Sequence, residues 1–272
     1  MTDYQREVMR NIMYAVETGG QVYGRRNYAD FTEAYTNTSE EHAITIGAGQ
    51  WYGTEAKELL NLIRQTDSAL FNSLDTAGVA GDLDTANWST YQISKTSAKA
   101  QCIVRIIDTE VGHACQDSKM DQQMEEYVAA AAALNVTALD AQMMCANLQH
   151  LGGHDAVVRV LGKTQTPYTL DNIYAALLTD TEENQVGTFR SRNKMVYDSL
   201  KQYITNYKVT PQEAIEAVIT VARGELGYLE KASNSNLDSK KGNAGNNNYT
   251  KYWRDLMPEG QGWAWCACFV SW

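Results

Sequence analysis

Two residues of this 272-residue sequence combine a reactive side chain with a setting that suits chemistry: Glu17 and Cys266. Glu17 lies in Val16-Glu17-Thr18-Gly19-Gly20, where an apolar stripe ends. Burial disfavours the charged form of a carboxyl, and the negative end of a helix dipole adds to that effect. A carboxyl kept protonated near neutral pH in this way can donate to the leaving oxygen of a glycosidic bond. The same residue also reads as a solvated glutamate at a helix end. Asp30, Glu33, Glu40 and Glu41 follow before the next apolar segment, and each alone is an ordinary loop acid. Cys266 sits in the aromatic decapeptide Trp263 to Trp272. A helix N-terminus there would lower the thiol pKa and leave a nucleophilic thiolate at pH 7. The competing reading is a cysteine buried among aromatic rings. His150 and His154 are four apart with Asp155 adjoining, a spacing that suits a metal on a helix. Leu151-Gly152-Gly153 breaks a helix between them, and the glutamate of a zinc-protease motif is missing. No metal is expected, and His150 is left as a cleft or loop histidine.

The elements that must position these groups are mostly helical. Thr2-Asp3-Tyr4-Gln5 forms a capping box, and Val8, Met9, Ile12, Met13 and Val16 recur at helical spacing up to Gly19-Gly20, where a left-handed cap is expected. Ala43-Ile44-Thr45-Ile46-Gly47-Ala48-Gly49 predicts a short strand and a turn. Leu59, Leu60 and Ile63 begin the next helical pattern, and Gly78 to Ser97 reads as a loop. Five apolar stripes follow: Cys102 to Ile107, Met120 to Ala131, Leu139 to Ala146, Ile173 to Leu178, and Met195 to Ile204. They are expected to face a core. Thr210-Pro211-Gln212-Glu213 opens a further helix whose apolar face is Ile215, Val218, Val221 and Ala222. After Leu229 the chain is rich in Asn, Ser and Gly through Asn248 and reads as a loop.

Composition limits the function classes. Hydrophobic residues make up 44% of the chain, enough for a core. No apolar run approaches the ~20 residues of a membrane span. The net charge is −10, from 23 Lys and Arg against 33 Asp and Glu, which argues against a nucleic-acid partner. From Tyr207 onward seven basic residues meet seven acidic ones, so the acidic excess lies before that point and a domain boundary is expected there. The five cysteines, Cys102, Cys115, Cys145, Cys266 and Cys268, are too scattered for a disulfide framework.

Glu17-Thr18-Gly19-Gly20, a polar loop, and Ile44-Thr45-Ile46-Gly47-Ala48-Gly49-Gln50 together resemble the lysozyme-like superfamily. Gln21-Val22-Tyr23-Gly24 and Gln50-Trp51-Tyr52-Gly53 look like the version found in endolysins of phages and mobile elements. The resemblance covers roughly residues 1–206, with the first 60 as its specific part. It implies a helical domain with a small β-hairpin, in which Glu17 is the general acid and bacterial peptidoglycan the substrate. Asp30 and Glu41 are then the candidates for the second carboxylate. Tyr23, Trp51 and Tyr52 are candidates to stack on sugar faces, and Gln50 and His150 to contact the substrate. No cofactor is implied.

Trp265-Cys266-Ala267-Cys268-Phe269-Val270-Ser271-Trp272 resembles the active-site motif of CHAP-type amidases and peptidases, an α+β papain-like class. Ala222 to Glu230 and Asn247 to Tyr252 look like that family's leading helix and loop. The resemblance makes Cys266 the nucleophile and Cys268 a packing residue. The family's histidine follows this helix, whereas His42, His113, His150 and His154 all precede it. Residues 207–272 are therefore expected to be the opening fragment of a cysteine hydrolase domain, incomplete and inactive in this chain, with Trp263, Trp265, Phe269 and Trp272 lacking an evident partner within it. No Sec-type signal is legible in Met1 to Arg10, so the expected location is the host cytoplasm until release to the wall, or export by another route. The oligomeric state is left open.

Overall fold

Thr2 caps the first helix as its spacing predicts. In the computed structural model its hydroxyl accepts from Gln5 N, and the Gln5 side chain accepts from Thr2 N. The structure describes residues 1–182, 185–206 and 211–272, with backbone alone for 211–217. The chain divides into two compact units, Met1–Tyr207 and Lys208–Trp272.

The first unit is mainly helical. Helix α1 spans Asp3–Thr18 and buries Val8, Met9, Ile12 and Met13 completely. Gly19 ends it at φ 79° and ψ 161°, a positive φ but not the left-handed helical cap expected. Three two-residue strands follow, β1 (Phe31–Thr32), β2 (Thr45–Ile46) and β3 (Trp51–Tyr52). They form one antiparallel sheet with Ile46 opposite both Phe31 and Trp51. The strand β1 was hidden in a polar stretch with no alternation to mark it. The turn between β2 and β3 needs its glycines. Gly47 has φ 76°, and a Cβ on Gly49 would lie 2.7 Å from both Met120 Cε and Trp51 Cζ2.

Helices α2 (Thr54–Thr66), α3 (Ser68–Leu74) and α4 (Val79–Thr85) come next. The last of these, with a 3-10 turn at Trp88–Thr90, corrects the expectation of a loop from Gly78 to Ser97. Its start is fixed by Asp75, whose carboxylate accepts from Val79 N and Ala80 N at 2.7 and 2.8 Å. Its core side is held by Val79, Leu83 and Trp88, too few apolar residues to show a helical period.

The helices α5 (Ala98–Ile107), α6 (Glu110–Ala133), α7 (Leu139–Lys163), α8 (Leu170–Leu177) and α9 (Arg190–Leu200) carry the five apolar stripes. Cys102, Ile103, Ile106, Ile107, Met120, Met124, Met143, Ala146, Ile173, Leu177, Val196 and Leu200 are all buried in one core. Helix α1 packs against α6 and α9, and α7 against α6, α8 and α9. These contacts bring the C-terminal end of α1 beside α7 and α9. Helix α7 is kinked at Gly153, with φ 74° and ψ −179°, where the Gly-Gly pair predicts a break. No described helix is long and apolar enough to cross a membrane.

The second unit contains α10 (Pro211–Gly224), α11 (Lys251–Leu256) and α12 (Cys266–Ser271). The capping box expected at Thr210 to Glu213, and Ile215, lie outside the described residues or side chains. Val218 and Val221 are 69% and 54% exposed, so within this unit they do not form the core face expected of them. A small aromatic core exists instead. Tyr228, Tyr252 and Cys268 are buried, and Trp253, Trp265 and Phe269 pack against them. The tail aromatics thus have partners within their own unit: Trp265, Phe269 and Trp272 lie with ring centroids 5.0–5.4 Å from Tyr252, and Trp263 sits edge-on to Trp253. The polar stretch from Lys231 to Asn248 is tied together by isolated bridges and by the Asn243 amide, which reaches Ser233 and Ser235.

Candidate functional site

Three apolar stripes of the first unit end in polar residues that meet. On α1 the series Met9, Met13 continues to Glu17. On α7 the series Met143, Asn147 continues to His150. On α9 the series Leu200, Val196 continues back to Arg192. Each step is three or four residues, so each polar group extends a core-facing stripe. Glu17 Oε1 lies 2.6 Å from Arg192 Nη2 and 3.3 Å from His150 Nε2. The Glu17, Arg192 and His150 side chains are 13%, 11% and 9% exposed. Arg192 Nε donates to Asn147 Oδ1 at 3.1 Å, and Asn147 is fully buried.

This arrangement corrects the expected ionisation of Glu17. Burial does push the carboxyl up, but His150 and Arg192 outweigh it and hold the group down at about 2. The Arg192 guanidinium and the His150 ring converge on one poorly hydrated oxygen and favour the anion more than desolvation disfavours it. At neutral pH Glu17 is therefore a carboxylate, where a protonated acid was expected.

Glu17 lines a polar cleft of about 390 Å³ together with Asn37, Glu41, Thr45, Gln50, Tyr52, His150 and Leu151. Five residues singled out in the sequence are thus brought together: Glu17, Glu41, Gln50, Tyr52 and His150. The strands β2 and β3 supply Thr45 and Tyr52, and the turn between them supplies Gln50. Tyr52 is fixed through its hydroxyl, which accepts from His42 N at 2.8 Å. Glu41 has one oxygen, Oε2, that is buried without a hydrogen-bond partner among the described residues.

Asp30, Trp51 and Tyr23 are not among the residues lining the cleft. Asp30 braces the turn. Its carboxylate accepts from Gln50 Nε2 and Asn27 Nδ2, both at 2.7 Å, and its carbonyl accepts from Gly47 N. Trp51 is completely buried and donates from Nε1 to Gln123 Oε1 at 2.7 Å, so it offers no face to a sugar. It is a core residue beneath the sheet, and the expectation of a stacking platform is corrected. Tyr23 is exposed and meets Tyr203 edge-on at 5.3 Å. Sequence reasoning missed Arg192 and Asn147. The signal was present in their spacing, since a charge four residues before Val196 and an amide four residues after Met143 both fall on apolar stripes.

In the second unit Cys266 is the first residue of α12 and is exposed, with no side chain capping the helix. Cys268 is buried, as a packing residue should be. Beneath them Glu225 accepts from Lys251 Nζ at 2.8 Å and from Tyr252 Oη at 2.9 Å, and Trp265 Nε1 donates to Glu230. Among the described residues no group of three His, Cys, Asp or Glu side chains is placed to hold a metal ion. No protein-family model, curated protein or solved structure matches this chain significantly.

Proposed function

We propose that this chain cleaves the β-1,4 glycosidic bonds between amino sugars of bacterial peptidoglycan, with the reaction in the first unit. The observation that carries the reading is that Glu17 and Glu41 line one polar cleft with Gln50, Tyr52 and His150. Glycosidases use a pair of carboxyl groups flanking the bond to be broken. Glu17 protonates the leaving oxygen as the C–O bond breaks. The positive charge that develops on the sugar is met by Glu41 or by the substrate's own N-acetyl oxygen, and water then adds to the anomeric carbon and returns a proton to Glu17. The resemblance of the first 60 residues to lysozyme-like endolysins supports the same assignment.

Glu17 must gain a proton before it can donate one. A sugar seated in the cleft removes water from a carboxyl that burial already pushes towards its neutral form.

The 2.6 Å ion pair of Glu17 with Arg192 favours a second reading, a cleft that binds peptidoglycan without turnover. Mass spectrometry of muropeptides released from purified cell wall separates the two. The hydrolase reading expects products from the wild type and a loss of about 10²–10⁴-fold in Glu17→Gln. Retention of more than about a tenth of the wild-type rate contradicts a general-acid role. Wall binding with no products from the wild type establishes the binding module.

A further inference from the structure

We propose that Arg192, braced by Asn147, is the positioning residue that fixes the Glu17 carboxylate at the cleft wall and competes with the proton for its Oε1. This rests on the reading of Glu17 as the reacting acid.

The geometry supports the assignment from three elements. Helix α9 delivers Arg192 to Glu17 Oε1 at 2.6 Å, and α7 delivers His150 to the same oxygen at 3.3 Å. Arg192 cannot swing freely, because its Nε is committed to Asn147 Oδ1 on α7 at 3.1 Å. The guanidinium fork has a rigid plane, so anchoring one nitrogen directs the others. An arginine this deeply buried needs a carboxylate, since a buried charge that loses its partner is costly. Arg192 and Glu17 therefore hold each other.

The other charged groups around Glu17 are few. His150 stands on α7 and Glu41 across the shared cleft. On α6, the carboxylates facing α1 are already paired: Asp117 with Arg26, Asp121 with Arg10 and Glu125 with Arg6. Arg192 is thus the one permanently charged cation on Glu17 among the described residues, because His150 carries charge only when protonated. Removing it takes away the contact that does not depend on pH.

The pair was invisible as a pair. Arg192 lies in Phe189-Arg190-Ser191-Arg192-Asn193, which reads as a solvated helix start. The tertiary packing of α9 on α1 turns it inward.

The test is a carbon-detected NMR titration of the Glu17 carboxyl in the full chain, for the wild type, Arg192→Gln and Arg192→Lys. It is paired with the pH profile of muropeptide release. The wild-type carboxyl is expected to titrate well below free glutamate. Arg192→Gln should raise its midpoint by about 1–3 units, the usual effect of one close opposite charge. The limb of the rate profile that reports this carboxyl should move in the same direction. Arg192→Lys keeps the charge and should restore most of the low midpoint. A wild-type midpoint in the ordinary glutamate range overturns the proposal without any variant, so it stays testable even if Arg192→Gln fails to fold. An unchanged midpoint in a folded Arg192→Gln overturns it as well. The titration needs no turnover. If Glu17→Gln stays active, the hydrolase reading falls while the Arg192 coupling is still decided by the carboxyl's own signal.

Discussion

The Arg192 guanidinium lies 2.6 Å from Oε1 of Glu17, and both side chains are almost wholly removed from water. This contact reverses what local position alone predicts. The end of a helix and a dry environment both favour a neutral carboxyl, yet Arg192 and His150 lower its pKa to about 2.

Stability should record the pairing directly. The folded-state pKa of Glu17 is depressed below its ordinary value of 4.5. Its stabilisation is therefore complete above that value and is lost as the pH falls through about 2. At pH 6 the shift corresponds to about 3 kcal/mol, each unit being about 1.4 kcal/mol. Urea unfolding of the wild type and Glu17→Gln should show a stability gap that narrows by about 2 kcal/mol between pH 6 and pH 3. Carboxylates remote from Glu17 titrate in both proteins and cancel in the difference. A constant gap over that range would show that Glu17 is not the depressed group.

Trp51 should behave as a core residue. It is fully buried, stacked over the Gly47–Gly49 turn and bonded to Gln123. Trp51→Ala should cost about 3–5 kcal/mol through the cavity it leaves. Trp51→Phe keeps most of the ring and loses the N–H, leaving the Gln123 oxygen without its donor, and should cost about 1–3 kcal/mol. Denaturant unfolding checks both values. A residue that served only as a sugar platform would change substrate binding and leave the unfolding midpoint unmoved.

Asn243 should govern cleavage of the polar segment in the second unit. Composition alone makes Lys231 to Asn248 a preferred nicking site. The fold ties it down: Lys231 N donates to Tyr249 O, Ala232 N to Asn243 O, and the Asn243 amide to Ser233 and Ser235. Asn243 also has φ 53°, which alanine tolerates poorly. Asn243→Ala should weaken the segment by about 1–2 kcal/mol and speed tryptic cleavage at Lys240 and Lys241 by about 5–30-fold. Time courses read by mass spectrometry give the rates. Equal rates in both proteins would mean that the amide does not hold the segment.

Much of the helical layout was legible because one physical rule repeats along the chain. An apolar residue every three or four positions must turn to a core, so the stripes from Val8 to Leu200 became buried helix faces. The Thr2 cap and the Gly153 break followed from side-chain hydrogen bonding and backbone freedom, which are also local. Glu17, Glu41, Gln50, Tyr52 and His150 were nameable as candidates by type and setting. What local rules do not contain is which stripe packs on which. That decision placed Arg192 on Glu17, buried Trp51 beneath the sheet, turned Asp30 into a brace for Gln50 and left Val218 and Val221 without a core in their own unit. The helix α4 escaped the sequence reading because one Asp75 carboxylate starts it and only three apolar residues hold it. The charge of Glu17 escaped because an ion pair's strength depends on distance and on shared burial. Both are properties of helices α1, α7 and α9 packed together, and none of the three segments carries them alone.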